Sequence, residues 1–463
     1  MKKRILAVLL TLSLAMAAFS GCSSAKETEN KGSNGATTPT SASKDVTLTF
    51  TYEQDGSNDP LEKWMTEKKV ISRFEAENPG VHIKLVPISS TDGDYATLLA
   101  LKLSSDRTAP DVFMEDTYMT ATDAAAGHLA CLDDYLAKWT DYSNYLDGAK
   151  AAVKGTDGKS YGVPISTDAR GIFYNMEVLK KAGVKTPWQP KTWNDILDTA
   201  RKIKQSGQNA APLYLIVGSG SGEGISMQTF EMLLYGTGDK MYENNKWLVG
   251  SKSILDSFDF IKTVYGKDGI GVSLDVALAK NGGSQVVQGI AKGTVGMMLG
   301  VCTTAEDWTS TGDFPVDNVE SKIGFAAMPT QNGGNPATVT MSGGWSWAIS
   351  KYCKNQDLAF KFLAFCGNQE NASYRSLYDG RISPRTDSTK IKEYASRPYI
   401  NEITDYMKNA FVRPKSENYP MVSTQIQTIV GELVGGNLTP QQAADEYKTK
   451  VTKIVGKNST FTK

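Results

Sequence analysis

Few residues of this chain have the types and spacing that chemistry needs. Glu115-Asp116 closes the apolar run Pro110-Asp111-Val112-Phe113-Met114. Carboxylates at a strand end either accept hydroxyl protons from a polar ligand or stand solvated without a role. Gly218-Ser219-Gly220-Ser221-Gly222-Glu223-Gly224 lies between a strand signal and a helix signal, the place in open α/β sheets where backbone N–H groups meet ligands. It has neither the G-x-x-x-x-G-K-[ST] nor the G-x-G-x-x-G spacing, so it reads as a small-ligand contact loop or a surface turn and not as a phosphate loop. Trp345 and Trp347 follow Gly343-Gly344, and a spacing of two on a strand puts both rings on one face. A core accounts for one of them. Trp345, nearer the start of the strand, is the expected platform for the C–H face of a ligand ring.

Catalytic signatures are missing. His82 and His128 read as surface residues, and the chain contains no G-x-S-x-G elbow and no H-E-x-x-H. Asp133-Asp134 stands at a helix start, where acids suit the dipole, and Asp92-Gly93-Asp94 is too short a piece of a calcium loop to imply a metal. Cys131, Cys302, Cys353 and Cys366 form no C-x-x-C pair and read as buried free thiols. The reading is a binding protein and not an enzyme, with no catalytic residue, metal or cofactor. Lys+Arg and Asp+Glu are both 50, which argues against a nucleic-acid partner.

The elements that must position these residues alternate between strand and helix. Val46 to Phe50 alternates as a strand, Asp59-Pro60 opens a helix with Leu61, Trp64, Met65, Ile71 and Phe74 on one stripe, and Pro79-Gly80 stops it. Strands at Val81 to Leu85 and Pro110 to Met114 flank a helix from Tyr95 to Leu103, an order that predicts a mostly parallel sheet. The pattern then restarts. Extended segments at Tyr161 to Ile165 and Gly171 to Tyr174 precede a helix capped by Thr192 and running to about Gln205, then a strand at Pro212 to Val217. Helices at Ser251 to Tyr265 and about Gln285 to Ala291 lead to strands at Thr294 to Leu299, Lys322 to Met328 and Trp345 to Ser350; from Asn355 onward helix dominates. At 463 residues, two α/β lobes are expected.

At the N-terminus Lys2-Lys3-Arg4 precedes an apolar run from Ile5 to Phe19, too short to cross a bilayer, and then Ser20-Gly21-Cys22. This resembles a bacterial lipobox, with Phe19 where Leu is usual. It implies a signal peptide over 1–21, a lipid anchor on Cys22, and a flexible tether through residue 44.

Several ordered stretches resemble the family 1 extracellular solute-binding proteins of bacterial ABC importers, the maltose-binding-like, carbohydrate-type group. They are Pro110-Asp111-Val112, Tyr161-Gly162-Val163-Pro164, Ile172-Phe173-Tyr174-Asn175, Lys191-Thr192-Trp193-Asn194-Asp195, Lys292-Gly293-Thr294-Val295-Gly296-Met297 and Gly436-Asn437-Leu438-Thr439-Pro440. The resemblance implies a two-lobed periplasmic-binding-protein-like α/β fold with hinge-crossing strands. One lobe would span 45–168 and about 338–385, the other about 169–337 and 386–463. Ligand contacts carried over by position are Tyr52, Glu53 and Asp55 after the first strand, Glu115 and Asp116, Asp168 past the hinge proline, Ser219, Ser221 and Glu223, and Cys302 after Gly-x-Met. An aromatic is usual near Cys302; Trp308, Trp345 or Tyr419 would supply it here. Arg381 would bind the ligand or serve a structural ion pair. The implied ligand is a mono- or oligosaccharide, and the implied partners are ABC permease subunits and, through the lipid, the membrane. The protein would act as a monomer at the extracellular face of a Gram-positive cytoplasmic membrane. An exported polysaccharide-active enzyme and a sensor partner of a membrane receptor are the other classes compatible with the sequence.

Overall fold

Asp111 shows how a short motif becomes architecture. Its Oδ2 accepts hydrogen bonds from Thr49 N at 2.9 Å and Thr49 Oγ1 at 2.8 Å, while Thr49 Oγ1 accepts from Asp111 N at 2.9 Å. The motif therefore pins the third strand of the chain to the first. The structure is a computed structural model and describes residues 45–54, 59–89 and 92–463. The signal and lipobox segment, Cys22, the tether and Asp55 lie outside the described residues.

In chain order the strands are β1 (Val46–Gln54), β2 (Val81–Ser89), β3 (Val112–Asp116), β4 (Gly162–Pro164), β5 (Arg170–Asn175), β6 (Ala211–Tyr214) and β7 (Tyr242–Glu243). They continue as β8 (Lys246–Gly250), β9 (Val295–Val301), β10 (Ile323–Ala327), β11 (Thr340–Ser342), β12 (Trp345–Ile349), β13 (Ala410–Val412) and β14 (Thr460–Thr462). The two larger sheets have the orders β2-β1-β3-β12-β4 and β10-β5-β9-β6, each against its own apolar core, while β11 pairs with β13 and β14-β8-β7 form a small sheet. Trp347, Phe50 and Phe362 lie in the first core; Phe173, Trp193 and Trp308 lie in the second.

The sheets are mixed and not mostly parallel. β1 runs parallel to β2 and β3, but β12 pairs antiparallel with β3 and β4, and β5 pairs antiparallel with β9 and β10. The cause is the returning chain, which re-enters the first sheet at β12 against the direction of its neighbours.

Side-chain caps start several helices, from Asp59, Asn175, Thr192, Ser251, Asn368 and Thr439. Thr192 Oγ1 accepts from Asp195 N and Asp195 Oδ2 accepts from Thr192 N, a capping box that starts the helix Trp193–Gln205. That helix buries Trp193, Ile196, Ala200 and Ile203 along one face. The segment after Asp59 differs from expectation: it is two helices, Pro60–Glu67 and Val70–Glu77, broken at Lys69 with φ 51°. In an unbroken helix Ile71 would lie under Trp64. The left-handed residue shifts the register, so Val70 is buried in place of Ile71 while Phe74 stays buried as expected. Cys302, Cys353 and Cys366 are buried free thiols, whereas Cys131 is exposed. No helix among the described residues is long and apolar enough to cross a membrane.

Three short segments join the two sheets and touch one another. Thr167 and Ile382 exchange backbone hydrogen bonds of 2.8 and 2.9 Å, Thr167 Oγ1 lies 2.7 Å from Ser342 Oγ, and Ile165 N donates to Trp345 O at 2.8 Å. Gly344 sits where these segments cross, at φ 126°, and a Cβ there would stand 2.2 Å from Ser166 O. Gly344→Ala is expected to destabilise the fold by more than about 2 kcal/mol in urea unfolding. Gly334→Ala, where a Cβ meets nothing within 4 Å, should be nearly neutral.

Candidate functional site

Both sheets end their strands on one shared chamber of about 170 Å³. A buried water takes up roughly 10–15 Å³ on this measure, so the space suits a small ligand and not a single solvent molecule. β3 delivers Glu115 and Asp116, and the antiparallel register places Trp345 opposite Asp116. The crossing segments supply Asp168, Arg170, Gly344 and Arg381, and the loop after β6 supplies Ser221, Glu223 and Gly224. Tyr95 comes from the helix Asp92–Leu103, its ring 5.8 Å from that of Trp345 at 62°. Arg413 follows β13.

Charge in the chamber is organised around two salt-bridged centres. Asp168 is fully buried; it binds Arg170 through both oxygens, accepts from Arg381 Nη1 at 2.9 Å and from Gly343 N at 2.7 Å. Burial pulls its pKa upward, yet Arg170, Arg381 and the Gly343 N–H outweigh burial and hold it below the usual carboxylate value. Arg413 forms the second centre. Its Nε and Nη2 engage the two Glu223 oxygens at 2.9 and 3.0 Å, and its Nη1 reaches Asp116 Oδ1 at 3.0 Å. Glu223 thus comes from the second sheet's side and Asp116 from the first, with one guanidinium between them.

Behind Glu223 the Tyr419 hydroxyl contacts both Glu223 and Glu231. Burial, reinforced by Glu223, pushes Glu231 up to about 8, which makes it an acid at neutral pH, and the Tyr419 hydroxyl bridges the two carboxyl groups.

A sequence model of the bacterial extracellular solute-binding proteins matches residues 59–373. The chain belongs to this family. It is 23% identical to a probable ABC transporter-binding protein of Deinococcus radiodurans, over 89% of this chain and 94% of that one. It is 22% identical to the melibiose/raffinose/stachyose-binding protein MelE of Bacillus subtilis, over 95% of each. Among solved structures, an ABC transporter solute-binding protein of Thermotoga lettingae bound with α-D-tagatose superposes with a TM-score of 0.75 at 23% identity, covering 89% of this chain and 100% of that one. The two-lobed architecture is the shared fold.

In this solute-binding protein the structure brings together Glu115, Asp116, Asp168, Ser221, Glu223, Trp345 and Arg381 of the residues singled out from sequence. Tyr52, Glu53, Ser219, Cys302 and Tyr419 do not line the chamber. Tyr52 is buried and bonded to Glu62, Glu53 is buried beside it in β1, and Tyr419 stands one layer back. Cys302 is buried in the second core while its neighbours Val301 and Thr303 face the chamber. Trp308 is also fully buried, its Nε1 donating to Val287 O at 3.1 Å. Arg381 makes the structural ion pair with Asp168 and lines the chamber as well. Sequence reasoning missed Tyr95, Asp123, Arg170 and Arg413. Arg170 alone had a local signal, two residues beyond Asp168 at the start of a strand.

The Glu231 acid makes stability depend on pH. Between about 4.5, its ordinary value, and about 8 the folded chain keeps a proton that the unfolded chain has released. Stability therefore falls as pH rises through that window, with a contribution approaching ~1.4 kcal/mol per pH unit, and levels off above it. Glu231→Gln is expected to flatten this slope in denaturant midpoints measured across the window.

Proposed function

We propose that this solute-binding protein captures a sugar, a mono- or oligosaccharide, in the chamber and delivers it to an ABC permease. The observation that carries the reading is the juxtaposition of the Trp345 plane with the Glu115 and Asp116 carboxylates. An aromatic plane covers the C–H face of a pyranose while carboxylates accept its hydroxyl protons. The names of relatives such as MelE support the same ligand class. The residues proposed to touch the sugar are Glu115, Asp116, Ser221, Trp345 and Arg381, with Arg413 added. Asp168 acts on the ligand through the arginines it holds, since its four acceptor sites are already used.

The lobes meeting at the chamber are residues 45–168 with about 338–385, and about 169–337 with 386–463. Ligand binding supplies free energy that differs between open and closed arrangements and so shifts the population toward closure about the crossing segments. The permease reads the closed form. Cys22 carries the lipid that holds this monomer outside the membrane, in a Gram-positive manner, with residues 23–44 as the leash.

Calorimetry of the full-length protein against mono- and oligosaccharides tests the reading, each mixture being checked afterwards for intact sugar. Trp345→Ala should weaken binding by about 2 kcal/mol or more, roughly thirtyfold, whereas Tyr52→Phe should leave it unchanged. Cleaved sugar would mark an enzyme instead. In cells, Cys22→Ala should move the protein from the membrane fraction to the medium, as followed by immunoblot.

A further inference from the structure

The wall of the chamber built by β3 and the helix Thr120–Ala125 is acidic. Glu115 is 1% exposed and Asp123 4% exposed, and both line the chamber. Neither Glu115 oxygen receives a hydrogen bond from any donor among the described residues. Its carboxyl instead faces that of Asp123, which is equally an acceptor when ionised. The three arginines lining the chamber are engaged elsewhere: Arg170 and Arg381 with Asp168, Arg413 with Asp116 and Glu223. His128, which does not line the chamber, pairs with Asp123, its Nδ1 3.2 Å from Asp123 Oδ1.

Two buried carboxyl groups in contact are stable only when one of them keeps a proton or when a cation lies between them. Burial and then Asp123 and Asp116 raise Glu115 well above its usual value, so in the protein by itself the pair holds a proton. Tyr95 closes this wall with its ring, because its hydroxyl is committed to Met114 O at 2.7 Å. Burial, and then the neighbouring Glu115 and Glu53, push the Tyr95 hydroxyl well above its ordinary value. No three His, Cys, Asp or Glu side chains among the described residues group to hold a metal ion. What complements two acids beside aromatic rings is an organic ammonium, with three donors, one charge and C–H faces for Tyr95 and Trp345.

We propose that the Glu115 and Asp123 carboxyls form a subsite for a protonated amine, so that the preferred cargo is a sugar bearing a free ammonium group. This rests on the sugar-binding reading above. When the ammonium enters, the proton shared by the pair leaves to solvent and both carboxylates stand ionised against one cation. An N-acetyl group offers a single donor and no charge, and a hydroxyl offers a single donor, so both leave the pair with its proton in place.

The test is calorimetry of the full-length protein at neutral pH with matched sets: glucose, glucosamine and N-acetylglucosamine, the galactose and mannose equivalents, and cellobiose with its diamino counterpart. Two buffers of different ionisation enthalpy report the protons exchanged. At least one amino sugar should bind about ten times or more tightly than both its neutral counterparts, with release of about one proton. Glu115→Gln and Asp123→Asn should each bring that ratio close to one and abolish the proton release. Neutral sugars that bind as tightly as their amino counterparts would overturn this inference and leave the sugar reading standing. Absence of binding across every set would overturn both.

Discussion

The buried carboxylate of Asp168 is the constraint on which the remainder depends. A carboxylate so far from water is tolerable only with its lone pairs filled, and Arg170, Arg381 and the Gly343 N–H fill them. Each donor comes from a different crossing segment. One ion therefore ties together the three places where the chain passes between sheets, and it aims two guanidiniums at the chamber. Such pairs are weak sources of net stability, and losing one partner typically costs about 3–5 kcal/mol, so the centre works mainly by forbidding other arrangements of the crossing.

From this fixed point a second polar chain extends through the other lobe. Glu231, Tyr419, Glu223 and Arg413 form a continuous series that ends on Asp116 at the far wall. Arg413 also lies 5.3 Å from the ring centroid of Tyr118, and Tyr118 packs near Tyr419. The chamber is thus closed on one side by a permanent centre at the crossing and on the other by a guanidinium held between carboxylates of opposite walls. The first ties together crossing segments of the chain, and the second joins side chains 190 and 297 residues apart in sequence.

Much of this was legible in the residue order where cause and effect are local. The Thr192 capping box, the strand closed by Glu115-Asp116 and the placing of one of two tryptophans at the chamber were all within a few residues of their signal. Trp345 and Trp347 share a face of β12, yet only the residue at the strand end reaches the chamber, while Trp347 packs edge-on against Phe50 at 4.9 Å. Cys302 does not line the chamber, whereas its neighbours Val301 and Thr303 do. Arg413 and Asp123 had no local signal: Arg413 meets Asp116 across 297 residues of chain, and Asp123 matters only because it folds against Glu115. The break at Lys69 was hidden because an uninterrupted apolar stripe looks the same in sequence whether or not one residue is left-handed.

The position of β12 in the first sheet also bears on how the molecule acquires its shape. β12 is the neighbour of β3 and β4, but most of the second core lies between β4 and β12 in the chain. The first sheet cannot be completed early. Its central pairing, Asp116 opposite Trp345, must wait for a segment about 230 residues downstream, a loop closure of high sequence separation that slows folding whatever the final stability. The growing chain consequently carries an unfinished sheet with the β3 edge open until β12 is made, and that interval is when the protein is most exposed to wrong partners.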